Sequence, residues 1–253
     1  MTTHGGSLLE GRVALITGGS LGIGTAIVLD LAESGADVAF TYRSHPDEAK
    51  ALAKQIEGLG RRALPLEADV ASFDRAEQVV GQVAQTLGRM DILVNNAGMN
   101  WDGVVWKMTE EQWDRVISVD LKGTFNYTRA AAARFKDQGS GKIVNITSIN
   151  GLRGKFGQSN YTAAKGGVIA LTKTVARELG KFGVNVNAVA PGLIETAMVQ
   201  QAPQQVRDMA LAEILLGRLG KPEEVAWVVT FLCSERARHI TGQVISVDGG
   251  QYL

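Results

Sequence analysis

Residues 12–24 read Arg-Val-Ala-Leu-Ile-Thr-Gly-Gly-Ser-Leu-Gly-Ile-Gly, and this stretch decides the predicted fold. Its apolar, β-branched first half is typical of a buried strand, and the glycines that follow lead into a helical pattern. Glycines permit positive φ and close backbone approach, and a helix N-terminus offers free N–H groups to a phosphate. A glycine-rich turn alone could be simple punctuation, but the strand–turn–helix context favours dinucleotide binding. The predicted contact residues are Gly18, Ser20, Leu21, Gly22, Ile23 and Gly24.

The same alternation of strand and helix patterns continues along the chain. Apolar, β-branched runs predict seven strands: Arg12–Thr17, Asp37–Tyr42, Arg62–Leu66, Asp91–Val94, Lys142–Thr147, Val184–Ala190 and Val244–Val247. Amphipathic or Ala-rich stretches predict helices at Ile23–Glu33, Pro46–Glu57, Arg75–Leu87, Glu110–Phe135, Tyr161–Leu179 and Pro222–Ser234. This alternation favours a parallel sheet with helices on both faces, joined by right-handed crossovers. Because no repeat or linker interrupts it, residues 1–253 are predicted to form one doubly wound α/β domain.

The composition is that of an ordinary globular protein. The 253 residues are 45% hydrophobic and 21% charged, and 26 Lys and Arg residues balance 26 Asp and Glu residues. Zero net charge, without a basic cluster interleaved with aromatics, argues against a nucleic-acid partner and leaves self-association weakly opposed. A single cysteine, Cys233, excludes an intramolecular disulfide and suits a reducing compartment. No metal site is predicted, because the three histidines share no metal-ligand spacing: His4, His45 and His239.

Targeting signals are not recognisable in the sequence. The N-terminal residues 1–7 lack the charged and apolar regions of a signal peptide. No apolar run approaches the ~20 residues that are needed to cross a bilayer. We therefore expect a cytoplasmic protein without a membrane partner.

The end of the second predicted strand bears on the choice of cofactor. An acidic residue there would bind the adenosine ribose hydroxyls of NAD. This sequence instead has Thr41-Tyr42-Arg43-Ser44, with a guanidinium and no carboxylate. Arginine suits a 2′-phosphate, so Tyr42, Arg43 and Ser44 favour NADP, with NADPH preferred over NADH. The alternative is an exposed surface arginine at a strand end.

Two further strand ends carry candidate cofactor residues. Asp69 and Val70 follow the third strand, where Asp69 could accept a hydrogen bond from an adenine amino group or cap the helix that starts near Phe73. Asn96-Ala97-Gly98 follows the fourth strand. Small residues and side-chain amides suit a backbone that passes close to a ligand, because ligands of open α/β sheets bind at the carboxyl ends of strands.

Three side chains around the fifth strand indicate proton transfer. Ser148 follows that strand, and Tyr161 and Lys165 lie four residues apart on one face of a predicted helix. A phenol has an ordinary pKa of about 10, and an ammonium one turn away lowers that pKa by favouring the phenolate. A hydroxyl at a strand end can complete the arrangement by hydrogen-bonding a substrate oxygen. For a bare Tyr-x-x-x-Lys the alternative is a packed tyrosine beside a solvated lysine.

The motifs occur together in an order that resembles the short-chain dehydrogenase/reductase family over essentially the whole chain. They are Thr17-Gly-x-x-x-Gly-Ile-Gly24, Asn95-Asn-Ala-Gly98, Ser148, Tyr161-x-x-x-Lys165, Pro191-Gly192, Thr241-Gly-Gln243 and Val247-Asp-Gly-Gly250. Within the family the chain is most similar to the 3-oxoacyl-acyl-carrier-protein and acetoacetyl-CoA reductases. The resemblance implies a Rossmann fold and NADPH-dependent reduction of a ketone, first of all a 3-oxoacyl thioester. The alternatives are a secondary-alcohol, sugar or other small-ketone dehydrogenase, or an inactive dinucleotide-binding sensor or scaffold.

The resemblance also implies a role for each residue. Tyr161 would protonate the developing alkoxide, and Ser148 would polarise the carbonyl. Lys165 would lower the pKa of Tyr161, and Tyr161 and Lys165 would also contact the cofactor, Lys165 at the nicotinamide ribose. The nicotinamide carboxamide would be held by Pro191, Gly192, Ile194 and Thr196.

One position departs from the family pattern. Where the family has a catalytic Asn within Val-Asn-Leu-x-Gly, this chain reads Val-Asp-Leu-Lys-Gly with Asp120 in its place. Asn both donates and accepts hydrogen bonds, whereas an ionised Asp only accepts. Asp120 would therefore attract Lys165 but disturb a proton relay that needs an amide donor. We expect an active enzyme with an altered pH profile.

Three expectations concern the outer parts of the fold. Trp113, at a helix start, is predicted to lie in the core. Val225–Leu232 and the last strand resemble the subunit contact surface of family tetramers, so a homotetramer is expected, with acyl carrier protein or free CoA left open as the carrier. Residues 195–216 are predicted to form a mobile lid over the substrate. Its apolar side chains could face an acyl chain or form a buried helical stripe: Met198, Met209, Ile214 and Leu215.

Overall fold

Seven parallel strands form one sheet, as the sequence predicts. The computed structural model describes residues 7–200 and 204–253. The strands are β1 (Val13–Ile16), β2 (Asp37–Tyr42), β3 (Ala63–Glu67), β4 (Ile92–Asn95), β5 (Gly141–Ile146), β6 (Val184–Pro191) and β7 (Val244–Val247). Their spatial order is β3-β2-β1-β4-β5-β6-β7, and every neighbouring pair is parallel. The predicted strand ends agree with these bounds to within one residue.

Helices connect the strands and cover both faces of the sheet. In the ranges that the structure describes they are α1 (Gly22–Glu33), α2 (Pro46–Gly58), α3 (Phe73–Leu87), α4 (Glu110–Val116), α5 (Gly123–Gln138), α6 (Asn150–Arg153), α7 (Ser159–Leu179), α8 (Ala197–Gln200), α9 (Gln204–Ala212) and α10 (Pro222–Cys233). Short 3₁₀ turns follow α7 and α10, at Gly180–Phe182 and Glu235–Ala237. Within the same ranges, no helix is both long and apolar enough to cross a membrane.

Two hydrophobic cores form because the central strands of the sheet are buried on both faces. Along β1, Ala14 and Ile16 pack into the core that α1, α2 and α10 share, whereas Val13 and Leu15 point into the core of α3, α5 and α7. Side chains alternate between the two faces of a strand, so a strand between two helical layers needs an unbroken apolar run. This requirement explains why the strands were recognisable in the sequence.

The helix predicted at Glu110–Phe135 is helical throughout, but it contains a π-helical segment that the sequence pattern did not predict. The structure divides it into α4, a π-helical segment at Ile117–Lys122, and α5. Thr124 donates from Oγ1 to the carbonyl oxygen of Asp120 at 2.8 Å, within this widened part of the helix. Such π segments are rare and frequently lie at functional sites. Trp113 is also not in the core, because it lies on the outer face of α4 and 41% of its surface is exposed.

The position of the site follows from the strand order. The chain runs outward from β1 to β3 on one side and from β4 to β7 on the other. The crossovers that leave β1 and β4 therefore diverge, and a crevice opens at the carboxyl ends of these two neighbouring strands. All of the strand-end motifs that the sequence singled out lie on this edge of the sheet.

Candidate active site

A cleft of about 330 Å³ occupies the crevice at the carboxyl ends of the first four strands. Most cofactor residues predicted for these strand ends line it: Gly18, Ser20, Leu21, Ile23, Gly24, Tyr42, Arg43, Ser44, Asp69, Val70, Asn96, Ala97 and Gly98. Sequence reasoning missed five other lining residues: Thr41, His45, Ala68, Met99 and Val119. Four of these adjoin a predicted cofactor residue in the chain, and Val119 adjoins Asp120, so extending each motif by one position would have found them.

The turn after β1 is held against the loop after β4 by the side chains of both. Thr17 Oγ1 accepts hydrogen bonds from the backbone N–H groups of Asn96 at 3.0 Å and Ala97 at 3.1 Å. Asn96 Nδ2 in return donates to the carbonyl oxygen of Gly18 at 2.9 Å. A Cβ added at Gly24 would lie 2.2 Å from that same carbonyl oxygen. Only glycine fits there, so the turn has the close backbone approach that a dinucleotide-binding loop requires.

The N-terminus of α1 faces the cleft with its backbone donors free of side-chain caps. The N-cap residue, Leu21, makes no side-chain hydrogen bond, and the first turn has no acidic residue. Gly22 does not line the cleft but turns the chain into the helix at a φ of 55°. Free N–H groups and the helix dipole make such a terminus an anion site, so this end of the cleft fits a pyrophosphate.

The outer end of the cleft is basic. Arg43 is exposed and lines the cleft, and in the described part of the chain no hydrogen bond or ion pair engages its guanidinium. Ser44 Oγ lies 3.1 Å from His45 Nδ1. Asp69 accepts from the backbone of Ala71 at 2.9 Å through Oδ1. It does not cap the next helix, because Ser72 is the N-cap of α3, so that alternative reading of Asp69 is wrong.

Ser148, Tyr161 and Lys165 lie together beside the inner end of this cleft. The ammonium of Lys165 lies 5.5 Å from the centroid of the Tyr161 ring. It also donates to the carbonyl oxygen of Ile146, at the end of β5, at 3.1 Å. The segment that follows Ser148 packs closely against the backbone of α7, since a Cβ added at Gly151 would lie 2.7 Å from the carbonyl carbon of Lys165. The fold thus brings the predicted serine, tyrosine and lysine to one place.

Asp120 lies behind Lys165 and is completely buried. Its Oδ1 accepts from the backbone N–H of Met99 at 2.8 Å, and its Oδ2 lies 3.1 Å from Lys165 Nζ. The neighbouring Gly98 leaves room for this pair, because an added Cβ would lie 2.9 Å from Oδ2 and 3.2 Å from Nζ. Asp120, the fourth predicted catalytic residue, therefore contacts Lys165 directly.

The charges of this group act on one another. Burial raises the pKa of Tyr161 above its ordinary value; Lys165 opposes that rise, as predicted, and Asp120 adds to it. Burial alone would lower the pKa of Lys165, but the charges of Asp120 and Tyr161 raise it instead. Burial also raises the pKa of Asp120 against the opposing charge of Lys165. The net effect is a raised pKa at both Tyr161 and Lys165, which favours the protonated form of each.

The residues predicted to hold the carboxamide follow β6. The carbonyl oxygen of Pro191 accepts from Ile149 N at 3.1 Å, which ties this strand end to the one that carries Ser148. Gly192 N donates to Val247 O at 3.0 Å. Ile194 is buried, and Thr196 Cγ2 would lie 3.5 Å from a Cβ added at Gly22. These four residues do not line the cleft that the other cofactor residues line, but Thr196 lies against Gly22 in the turn after β1.

The predicted lid contains α8 and α9, and its two ends differ in packing. Ile214 is buried near the C-terminal glycines, where a Cβ added at Gly249 would lie 2.9 Å from Ile214 Cγ2. Met209 and Leu215 are exposed, so no buried stripe includes them. The side chain of Met198, and residues 201–203 of the predicted lid, lie outside the described residues, as does His4. In the part of the chain that the structure describes, no three His, Cys, Asp or Glu side chains cluster as a metal site.

Comparisons with known proteins agree with this geometry. A family model described as enoyl-(acyl carrier protein) reductase matches residues 18–251. The chain is 48% identical to the 3-oxoacyl-(acyl-carrier-protein) reductase FabG of Thermotoga maritima, covering 96% of this chain and 98% of that protein. It is 44% identical to the same enzyme of Staphylococcus epidermidis (96% and 99% covered) and 46% identical to the acetoacetyl-CoA reductase of Rhizobium meliloti (96% and 99% covered). The chain therefore belongs to the short-chain dehydrogenase/reductase family.

Proposed function

We propose that this protein reduces a 3-oxoacyl thioester to the corresponding secondary alcohol with NADPH. Its family consists of NAD(P)-dependent oxidoreductases that act on C=O and CH–OH groups. The observation that carries the proposal is the meeting of Ser148, Tyr161 and Lys165 beside the nucleotide cleft. The names of the relatives support a thioester of a 3-oxo acid as the substrate class.

Tyr161, Ser148 and Lys165 each have a separate role in protonating the carbonyl oxygen. When bound, the nicotinamide supplies the hydride that the carbonyl carbon accepts. Tyr161 gives the proton of its hydroxyl to the carbonyl oxygen as negative charge develops there, and Ser148 donates a hydrogen bond to the same oxygen. The ammonium of Lys165 stabilises the phenolate that remains. Burial raises the pKa of Tyr161, which favours the protonated acid that this step requires.

Three features support the assignment of the cleft to NADPH: the close glycine contacts, the uncapped N-terminus of α1 and the exposed Arg43. The first two suit the pyrophosphate, and Arg43 suits the 2′-phosphate. The relatives' names include both acyl carrier protein and CoA as carriers, so both belong in the assay.

We also propose a homotetramer, for which the exposed Trp227 and Phe231 of α10 are suitable contact residues. The lid at residues 195–216 and the cytoplasmic location stay predictions.

Steady-state turnover tests the proposal. NADPH and NADH are each combined with acetoacetyl-CoA, a longer 3-oxoacyl thioester on CoA, the same acyl group on acyl carrier protein, and a simple ketone. We expect turnover of the thioesters with NADPH and a loss of kcat of at least about 100-fold in Tyr161→Phe, since general acid catalysis is worth that much. Tyr252→Phe, at an exposed tyrosine, is the matched control. Full activity of Tyr161→Phe would refute the assigned mechanism.

A further inference from the structure

A fully buried carboxylate touches the lysine of the proposed site. Asp120 comes from the π-helical segment and Lys165 from α7, and their side chains meet with Oδ2 at 3.1 Å from Nζ. Lys165 is almost as buried as Asp120. Burying two charges is costly, and removing one partner of such a pair leaves the other without compensation. Loss of either charge would therefore leave the other one buried without compensation.

An amide at position 120 cannot make the same two contacts. Oδ1 of Asp120 is fixed by the backbone N–H of Met99, which leaves the second atom of the group facing the ammonium. In an asparagine that second atom is an NH₂ group, which only donates, and an ammonium also only donates. If the amide flipped, its NH₂ group would meet the N–H of Met99 instead. A carboxylate can thus accept from Met99 through one oxygen and face the ammonium of Lys165 with a second negatively charged oxygen.

The charged groups that face the phenol come from three parts of the chain. Lys165, on the same helix, favours the phenolate, whereas Asp120 from the π-helical segment and Asp102 from the loop before α4 disfavour it. Ser148, at the end of β5, contributes a hydrogen bond that favours the phenolate. Asp120 is the carboxylate in direct contact with Lys165, so it offsets the charge that would otherwise make Tyr161 more acidic.

We propose that Asp120 is a positioning residue that holds Lys165 in a buried ion pair and so sets the charge that the Tyr161 phenol faces. With asparagine in its place, the phenol would lose its proton at lower pH. The inference rests on the proposed function, because it concerns the acid of that reaction. Reduction needs the protonated phenol, so activity falls as pH rises through the pKa of Tyr161. Asp120 therefore extends the alkaline limb of the reductase profile.

Two measurements on Asp120→Asn test this. The first is the pH dependence of kcat and KM: the ratio of kcat at pH 9 to kcat at pH 7 is expected to fall about threefold or more, since the alkaline limb moves to lower pH. The second is an ultraviolet titration near 295 nm without substrate or nucleotide. Subtracting the matching Tyr161→Phe protein isolates Tyr161, whose phenolate is expected to form at lower pH in Asp120→Asn.

Controls separate this role from simple stability. Asp91 is another buried carboxylate, which pairs with Arg89 and Arg12 at the opposite end of β4. Asp91→Asn weakens those ion pairs and is expected to leave both pH curves unchanged. Asp120→Ser, which removes the charge and the bulk, replaces Asp120→Asn if the latter does not fold. An unchanged titration, or a shift to higher pH, overturns the inference. Because the titration needs no turnover, it stands even if Tyr161→Phe retains activity and the proposed function fails.

Discussion

Arg43→Gln tests the prediction of NADPH as the preferred cofactor. Arg43 lines the outer end of the cleft, and in the residues described here its guanidinium has no competing partner. A hydrogen bond to a charged group contributes about 1.5–3 kcal/mol, which corresponds to roughly 10–100-fold in affinity. We therefore expect Arg43→Gln to weaken NADPH binding about 10–100-fold. NADH, which lacks the 2′-phosphate, should change less than about twofold.

The assay measures the dissociation constants of both reduced cofactors by their fluorescence, together with kcat/KM for each. The parent's NADPH affinity should also fall as salt rises, because an exposed ion pair is screened, and this salt effect should be smaller in Arg43→Gln. Lys50→Gln, which removes an exposed cation from α2, controls for the general loss of surface charge. Equal weakening of both cofactors, or unchanged NADPH binding, would refute the assignment of Arg43 to the 2′-phosphate.

Two further predictions concern glycine packing and a buried hydroxyl. Gly24→Ala should abolish measurable cofactor binding, because its Cβ would lie 2.2 Å from Gly18 O and 2.7 Å from Asn96 Nδ2; calorimetric titration checks this. Gly81→Ala in α3, where an added Cβ meets nothing within 4 Å, should bind normally and raise the free energy of unfolding by about 0.5–1 kcal/mol. Tyr127→Phe should not lower that free energy in urea unfolding, since the buried hydroxyl has no protein partner in the described ranges; a loss above about 1 kcal/mol would contradict this.

The sheet was predictable because its physical requirements are local. A strand buried on both faces needs a continuous apolar run, and all seven such runs are strands within one residue of the predicted bounds. The π segment in the helix after β4 was not predictable in this way. The sequence between Glu110 and Phe135 keeps a helical pattern, and the contacts that distinguish the π segment come from distant parts of the chain, such as those of Asp120 with Met99 and Lys165.

In the candidate site, too, the features that depend on local sequence were predictable and those that depend on burial were not. Glycines and strand-end side chains were identifiable because their chemistry and spacing are visible in the chain, and the structure gathers Ser148, Tyr161 and Lys165 as expected. The net direction of the Tyr161 pKa was not foreseeable, because burial outweighs the lysine and no local pattern reports burial. Trp113 was misplaced for a similar reason: an aromatic residue at a helix start has no signal for the direction it faces.

The strand order has a consequence for how the protein is made. Thr17 and Asn96 are 79 residues apart, so the turn that closes the nucleotide cleft is completed only when β4 has been synthesised. Lys165 is synthesised later still, and the loop after β6 waits for the C-terminus, where Gln251 accepts a hydrogen bond from Leu193 N at 3.0 Å. Long-range parallel pairing slows folding, and domains begin to fold during synthesis. The complete site therefore depends on contacts that span nearly the whole chain, and it cannot assemble before synthesis is almost finished.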